Sequence, residues 1–150
     1  MKTKPILLVA GEPNSIFLEI LFKTLKSQKF KDPLILIASY KLLKLQMKKL
    51  RFDRTVKILD LNKLKNYKLT NKKINLINVD YETNKAFDKI SNKSKIYIQN
   101  SFEVATSILK SRYTNKLING PISKKHFLNK KFLGITEYLA NRLIKKNLLC

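Results

Sequence analysis

The sequence predicts an α/β fold: a mostly parallel sheet with helices on its faces. Three observations lead there. Short apolar runs of strand length alternate with longer stretches whose apolar residues recur at helical spacing. Turn-forming residues close several of the runs, Gly11-Glu12-Pro13 and Gly120-Pro121 among them. Finally, 150 residues at 44% hydrophobic content are enough for one core and too few for two full domains.

Ile6 to Ala10 reads as a buried strand ending at Gly11. Ser15 to Gln28 follows as a helix, with Ile16, Phe17, Ile20, Leu21 and Leu25 on one stripe. Leu34 to Ala38 is a second strand, and Ser39 caps a second helix carrying Leu42, Leu43, Met47 and Leu50. Thr55 to Leu59 is a short third strand, Asn62 to Asn71 a polar loop, and Ile74 to Val79 a further strand. The polar stretch 80–95 offers only Ala86, Phe87 and Ile90 as anchors. Ser101 opens a helix reaching about Tyr113, with Val104, Ala105, Ile108 and Leu109 on one face. Lys116 to Asn119 is a short strand, Ser123 begins a short surface helix, and Thr136 caps another that buries Leu139, Ala140, Leu143 and Ile144.

Strands alternating with helices produce a parallel sheet. Residues 1–150 show no internal repeat, no linker and no internal boundary. Asn147-Leu148-Leu149-Cys150 reads as the opening of one more strand, so the expectation is an α/β portion at the N-terminal side of a longer protein.

The net charge of +22 invites a nucleic-acid reading. The 32 basic residues are 28 lysines and 4 arginines, spread over the whole chain. Readers of nucleic acid favour arginine for bidentate contacts and aromatic residues for stacking. Lysine, asparagine and isoleucine, all abundant here, are what AT-rich codons encode, and a solvated lysine-rich surface accounts for the charge. The field still favours anionic ligands, less so as salt rises. No apolar run approaches the roughly 18 residues of a membrane span, and the apolar run after Lys4 is too short for a signal peptide. One cysteine, Cys150, cannot form an intrachain disulfide, which fits a reducing, cytoplasmic setting.

Three segments carry candidate chemistry, each at the carboxyl end of an expected strand or the start of a helix, where open α/β sheets gather ligands. Gly11-Glu12-Pro13-Asn14 leads into a helix whose free N–H groups can face an anion, or is a plain turn. Asn119-Gly120-Pro121-Ile122-Ser123-Lys124 sets a lysine beside backbone donors, where it holds a phosphate as a point charge or stays a surface residue. Gly134-Ile135-Thr136-Glu137 offers the Thr136 hydroxyl as a cap, or as a donor to a bound anion. The three glycines are expected to converge on one anion pocket at one edge of the sheet. His126 is the only histidine, and one imidazole cannot make a metal site. No phosphate loop, G-x-G-x-x-G fingerprint or nucleophile elbow is present.

In these segments the chain resembles the 4-hydroxythreonine-4-phosphate dehydrogenase family of vitamin B6 synthesis. Pro5-Ile6-Leu7-Leu8-Val9-Ala10-Gly11-Glu12-Pro13 is similar to the family's first strand and its G-[DE]-P-A-G-I-G-x-E turn, with Ile16 and Glu19 retained. Leu117 to Lys124 is similar to T-[AG]-P-[IV]-x-K, and Phe132-Leu133-Gly134-Ile135-Thr136-Glu137-Tyr138 to F-x-G-H-T-E-[FY]. All three stand in the family's order.

The resemblance implies an isocitrate/isopropylmalate-dehydrogenase-like fold, represented incompletely, and a homodimer. It implies NAD and a divalent metal (Zn, Mg or Co), both needing residues beyond this chain. The implied reaction removes hydride from the carbinol carbon of 4-phosphooxy-L-threonine, and the β-keto acid then loses carbon dioxide. Thr136 matches a substrate-contacting threonine, and Lys124 and Glu12 are candidate substrate contacts. The family's preceding histidine is Ile135 here, which can neither donate nor accept. Asn14, Ser15, Phe17 and Leu18 replace residues that are usually small, Gly or Pro. As these 150 residues alone the chain is expected to be inactive. The alternative is a diverged, non-catalytic phosphate-ligand-binding or interaction paralogue.

Overall fold

The computed structural model describes residues 3–129 and 131–144. Five strands form one sheet: β1 (Ile6–Val9), β2 (Leu34–Ala38), β3 (Val56–Ile58), β4 (Ile74–Asn78) and β5 (Lys116–Asn119). Their order is β3-β4-β2-β1-β5, and every pairing is parallel. The expected strand at Asn147–Cys150 lies outside the described residues.

The crossovers are helical. Helix α1 (Phe17–Ser27) links β1 to β2, α2 (Tyr40–Lys49) follows β2, α3 (Lys95–Lys110) links β4 to β5, and α4 (Ile135–Ile144) comes last. Period-two side chains split the core over the two faces of the sheet. Leu8, Leu36 and Leu76 pack against Leu18, Leu21 and Phe22 of α1 and Leu43 and Met47 of α2. Leu7, Val9, Ile35, Ile37 and Ile77 pack against Tyr97, Ile98, Phe102, Ala105 and Ile108 of α3. The buried runs Ile35–Ala38 and Ile74–Ile77 are apolar on both faces, as central strands of a covered parallel sheet require, apart from Asn75, whose amide donates to Leu34 O and Thr70 O.

Ser39 caps α2 as expected, its Oγ accepting from Leu42 N at 3.2 Å. Elsewhere the structure departs from the sequence reading. The third strand is three residues, Val56–Ile58, and part of the expected loop after it winds into a 3-10 turn, Leu61–Asn66, that buries Leu64. Helix α3 begins at Lys95, six positions before Ser101, because Tyr97, Ile98, Ser101, Phe102, Ala105 and Ile108 make one continuous buried stripe. Thr136 is not the cap of α4. That helix starts at Ile135, the Gly134 carbonyl accepts from Tyr138 N at 3.2 Å, and Thr136 is exposed in the first turn. Tyr138 is the buried residue of α4. Leu139 and Leu143 are half-buried, and Ala140 and Ile144 are exposed, since the helix touches α3 along one narrow seam. Ile90 is 47% exposed and anchors nothing, and polar groups take its place in holding 80–95.

Candidate functional site

In a doubly wound sheet the ligand crevice opens at the carboxyl edge where the strand order reverses. Here β1 is followed by β2 on one side, whereas β5 joins β1 on the other. The reversal therefore falls between the turns after β1 and β5. Those turns are the Gly11 and Gly120 segments.

They touch. Gly120 N donates to Val9 O at 2.7 Å, and Glu12 N donates to Pro121 O at 2.8 Å. A Cβ on Gly11 would stand 2.5 Å from Pro121 O and 2.9 Å from Gly120 O. Gly11 also has φ +75°, a left-handed conformation that glycine adopts without strain. A Cβ on Gly120 would overlap the Ala10 carbonyl oxygen and lie 2.9 Å from the Phe17 ring. Both glycines are needed for close backbone approach, which agrees with convergence of these two segments. The Glu12 N–H is spent on this contact and is not offered to an anion.

Glu12 itself is 3% exposed. Its Oε2 accepts from Ser94 Oγ at 2.9 Å, and Ser94 is itself buried. The polar stretch 80–95 is a strap across the carboxyl edge, tied to the first turn by three polar links. Ser94 reaches Glu12, Asn14 Oδ1 accepts from Asp88 N at 2.9 Å, and Gln46 Nε2 donates to Pro13 O at 3.0 Å and to Ala86 O at 2.8 Å. The Lys41–Glu82 pair at 2.8 Å is exposed and adds little. Beneath the strap, Tyr97 Oη accepts from Ser39 N at 3.2 Å, and burial pushes this phenol well above its usual range, so it stays neutral. Tyr81, packed on Tyr97, is likewise raised, first by burial and against the opposing hydrogen bond from Asn14. The Lys89 backbone N–H and then the Lys85 ammonium hold the Asp88 carboxyl below its ordinary value.

Removing Ser94's hydroxyl leaves a buried carboxylate short of its side-chain donor. Ser94→Ala is expected to cost about 1.5–3 kcal/mol, the range for hydrogen bonds to charged groups. Thermal unfolding at neutral pH checks this, and an unchanged melting temperature would show that Glu12 does not depend on Ser94.

The third segment joins differently. Ser123 Oγ accepts from His126 N at 3.2 Å and opens a five-residue π-turn, Lys124–Leu128. Phe127, Phe132 and Tyr138 then form an aromatic cluster on Phe102 of α3. Glu137 Oε2 accepts from Leu133 N at 2.7 Å, tying the entry to α4. Among the described residues no hydrogen bond links 134–136 to the other two turns. A Cβ on Gly134 would meet nothing within 4 Å. Lys124 and Thr136 are exposed, and Ile135 is half-buried against the aromatic cluster. The structure thus brings Gly11 and Gly120 into contact and holds the Gly134 segment on the same face as α3, without a direct bond to them.

Sequence reasoning missed Ser94, Asn92 and Gln46. Nothing in their spacing singles them out, because each is defined by a partner about 30 to 80 residues away. It also set His126 on an exposed surface helix. The imidazole is half-buried, with Nδ1 2.8 Å from Asn92 Oδ1. Among the described residues no group of three or more His, Cys, Asp or Glu side chains could hold a metal, so no reaction step is assigned to one. Among them, too, no helix is long and apolar enough to cross a membrane.

A parallel sheet whose strand order reverses at two touching glycine turns defines a doubly wound α/β protein. Residues 29–150 match the family described as pyridoxal phosphate biosynthetic protein PdxA, and the chain belongs to that family. The Gly11 turn precedes the matched span. No curated protein sequence matches the chain. Solved structures given as 4-hydroxythreonine-4-phosphate dehydrogenases share the fold. One from Salmonella typhimurium superposes with a TM-score of 0.77 at 19% identity, covering 93% of this chain and 44% of that one. One from Burkholderia phymatum gives 0.77 at 16% identity, with 93% and 43% covered. One from Klebsiella pneumoniae gives 0.76 at 17%, with 95% and 45% covered. The chain therefore spans less than half the length of the structures it matches.

Proposed function

We propose that residues 1–150 are the N-terminal α/β portion of a longer 4-hydroxythreonine-4-phosphate dehydrogenase, acting as a homodimer in the cytoplasm on a phosphorylated hydroxy amino acid. The observation that carries the reading is the family match over 29–150 combined with the fold match over 93% of the chain. The open edge of the sheet agrees with added structure there. Ile118 on edge strand β5 is 52% exposed, as are Ile16, just before α1, at 60% and Ile20 within α1 at 51%. Such apolar surface beside an unpaired strand edge is costly in a free monomer.

In this reading the portion described here supplies substrate contacts. Lys124 holds the phosphate as a point charge, and Thr136 donates its hydroxyl from the first turn of α4. Glu12 acts from beneath, fixing the strap through Ser94. By family resemblance, NAD would supply the hydride acceptor and a divalent metal a Lewis acid. In this reading their contacts come from the remainder of the protein.

Two features favour a second reading, a diverged binding paralogue: Ile135 stands at the family's histidine, and Glu12 is buried rather than presented. One assay separates the two. The protein produced from its own reading frame, including whatever follows residue 150, is given 4-phosphooxy-L-threonine, NAD and a divalent metal. NADH formation is expected, with none from residues 1–150 alone. A metal-loaded dimer that binds the substrate without forming NADH would establish the paralogue.

A further inference from the structure

The only imidazole in the chain is held in one tautomer at the carboxyl edge of the sheet. Asn92 Oδ1 lies 2.8 Å from His126 Nδ1, and an amide oxygen only accepts, so Nδ1 carries the proton. In the neutral imidazole Nε2 then presents a lone pair. Among the described residues no hydrogen bond reaches it. The backbone beneath is fixed as well, by the Ser123 cap on His126 N.

A single turn links this ring to the first of the two glycine turns. Asn92 and Ser94 occupy one 3-10 turn, Asn92–Ser94, directly before α3. One end of that turn holds the imidazole, and the other holds Glu12 in the first strand's turn at 2.9 Å. Lys95 follows at once. With the Asn129 amide in its hydrogen-bonding orientation, Lys95 Nζ donates to Asn129 Oδ1 at 2.7 Å. Lys124 and Lys125 directly precede the imidazole in sequence, and Lys93 and Lys95 flank Ser94 in the segment that holds it. Neighbouring acceptors are already engaged: Glu12 by Ser94, Asn14 by Asp88 N, and Asn92 by the imidazole.

We propose that His126 is a ligand-contacting residue that determines specificity. Its Nε2 lone pair accepts a hydrogen bond from a hydroxyl or ammonium group of a small phosphorylated compound whose phosphate the adjacent lysines hold. Asn92 is a positioning residue that acts only through the imidazole tautomer. The inference rests on the reading of this edge as a phosphorylated-substrate site, and deepens it by naming the group that reads the ligand's donor.

Long-range proton–nitrogen NMR of the 15N-labelled protein produced from its whole reading frame, with the His126 signals assigned by their loss in His126→Phe, makes the test direct. The free protein is expected to show bare Nε2 and protonated Nδ1. Addition of 4-phosphooxy-L-threonine is expected to move the Nε2 resonance, whereas inorganic phosphate, with no amine or carbinol donor, binds and leaves Nε2 in place. By calorimetry, His126→Phe should weaken 4-phosphooxy-L-threonine by about tenfold, leave inorganic phosphate unchanged, and retain the wild-type circular dichroism. Asn92→Ala should mix the two tautomers and weaken the same ligand by less. Binding of 4-phosphooxy-L-threonine with an unmoved Nε2, or with equal affinity in His126→Phe, overturns the role of His126 and leaves the site standing. No binding of either ligand to the wild-type protein overturns both.

Discussion

Gly120→Ala should lower the melting temperature by roughly 6–12 °C, corresponding to about 3 kcal/mol for a domain of this size. The new Cβ would overlap the Ala10 carbonyl oxygen and stand 2.9 Å from the Phe17 ring, at a buried position. Neither neighbour can yield cheaply. Ala10 N is bonded to Ile37 O at 3.2 Å, and Gly120 N to Val9 O at 2.7 Å, so the turn cannot slide along β1 without breaking sheet contacts. Relief would come from parting the β1 and β5 turns, which also breaks Glu12 N to Pro121 O. The variant therefore tests more than packing, because it separates the two segments whose contact defines the switch point. The matched control is Gly134→Ser. Nothing lies within 4 Å of its Cβ, and Gly134 occupies the cap position of α4, where serine is favoured. Its melting temperature should be unchanged or slightly raised. A Gly120→Ala protein as stable as wild type would mean that the turns are not in contact in solution.

The contrast between these glycines shows what the sequence could and could not reveal. Gly11 and Gly120 stand where a strand run ends, and period and turn chemistry suffice to place them on one edge of a parallel sheet. The register that brings one backbone onto the other is a tertiary fact, set by Val9 pairing with Asn119. Gly134 looks equivalent in sequence, yet it only opens a helix. The strap was illegible for the same reason. Residues 80–95 have almost no apolar periodicity, because side chains of Asn14, Gln46 and Glu12 hold them in place. Helix α3 was read too short since its first turns bury Tyr97 and Ile98 amid polar neighbours, a pattern that resembles a loop until the core facing it is known. Strand positions were the most legible. In a sheet covered on both sides, burial demands apolar runs, and such runs admit few other readings.

Phe102→Ala should have the largest effect of any single truncation on the α3 face, about 3–5 kcal/mol. The ring is fully buried, 6.1 Å from Phe127 and 5.7 Å from Tyr138 by centroid. It is the link between the sheet's core and the segment carrying Lys124, Ile135 and Thr136. Beyond this cluster, α4 is tied to α3 by the exposed Arg142–Glu103 pair at 2.9 Å and by Lys110 Nζ to Arg142 O at 3.1 Å. Contacts of that kind contribute at most about 1 kcal/mol each and cannot hold a helix alone. The loss should therefore be uneven. Amides at 124–144 should exchange with solvent much faster in Phe102→Ala than in wild type, while those of β1, β2 and β4 follow global stability alone. Phe102→Leu, which keeps most of the apolar volume, should cost about 1–2 kcal/mol and largely restore protection. Protection at Phe127 and Tyr138 that falls only in step with the sheet would show that α4 is held by something other than this ring.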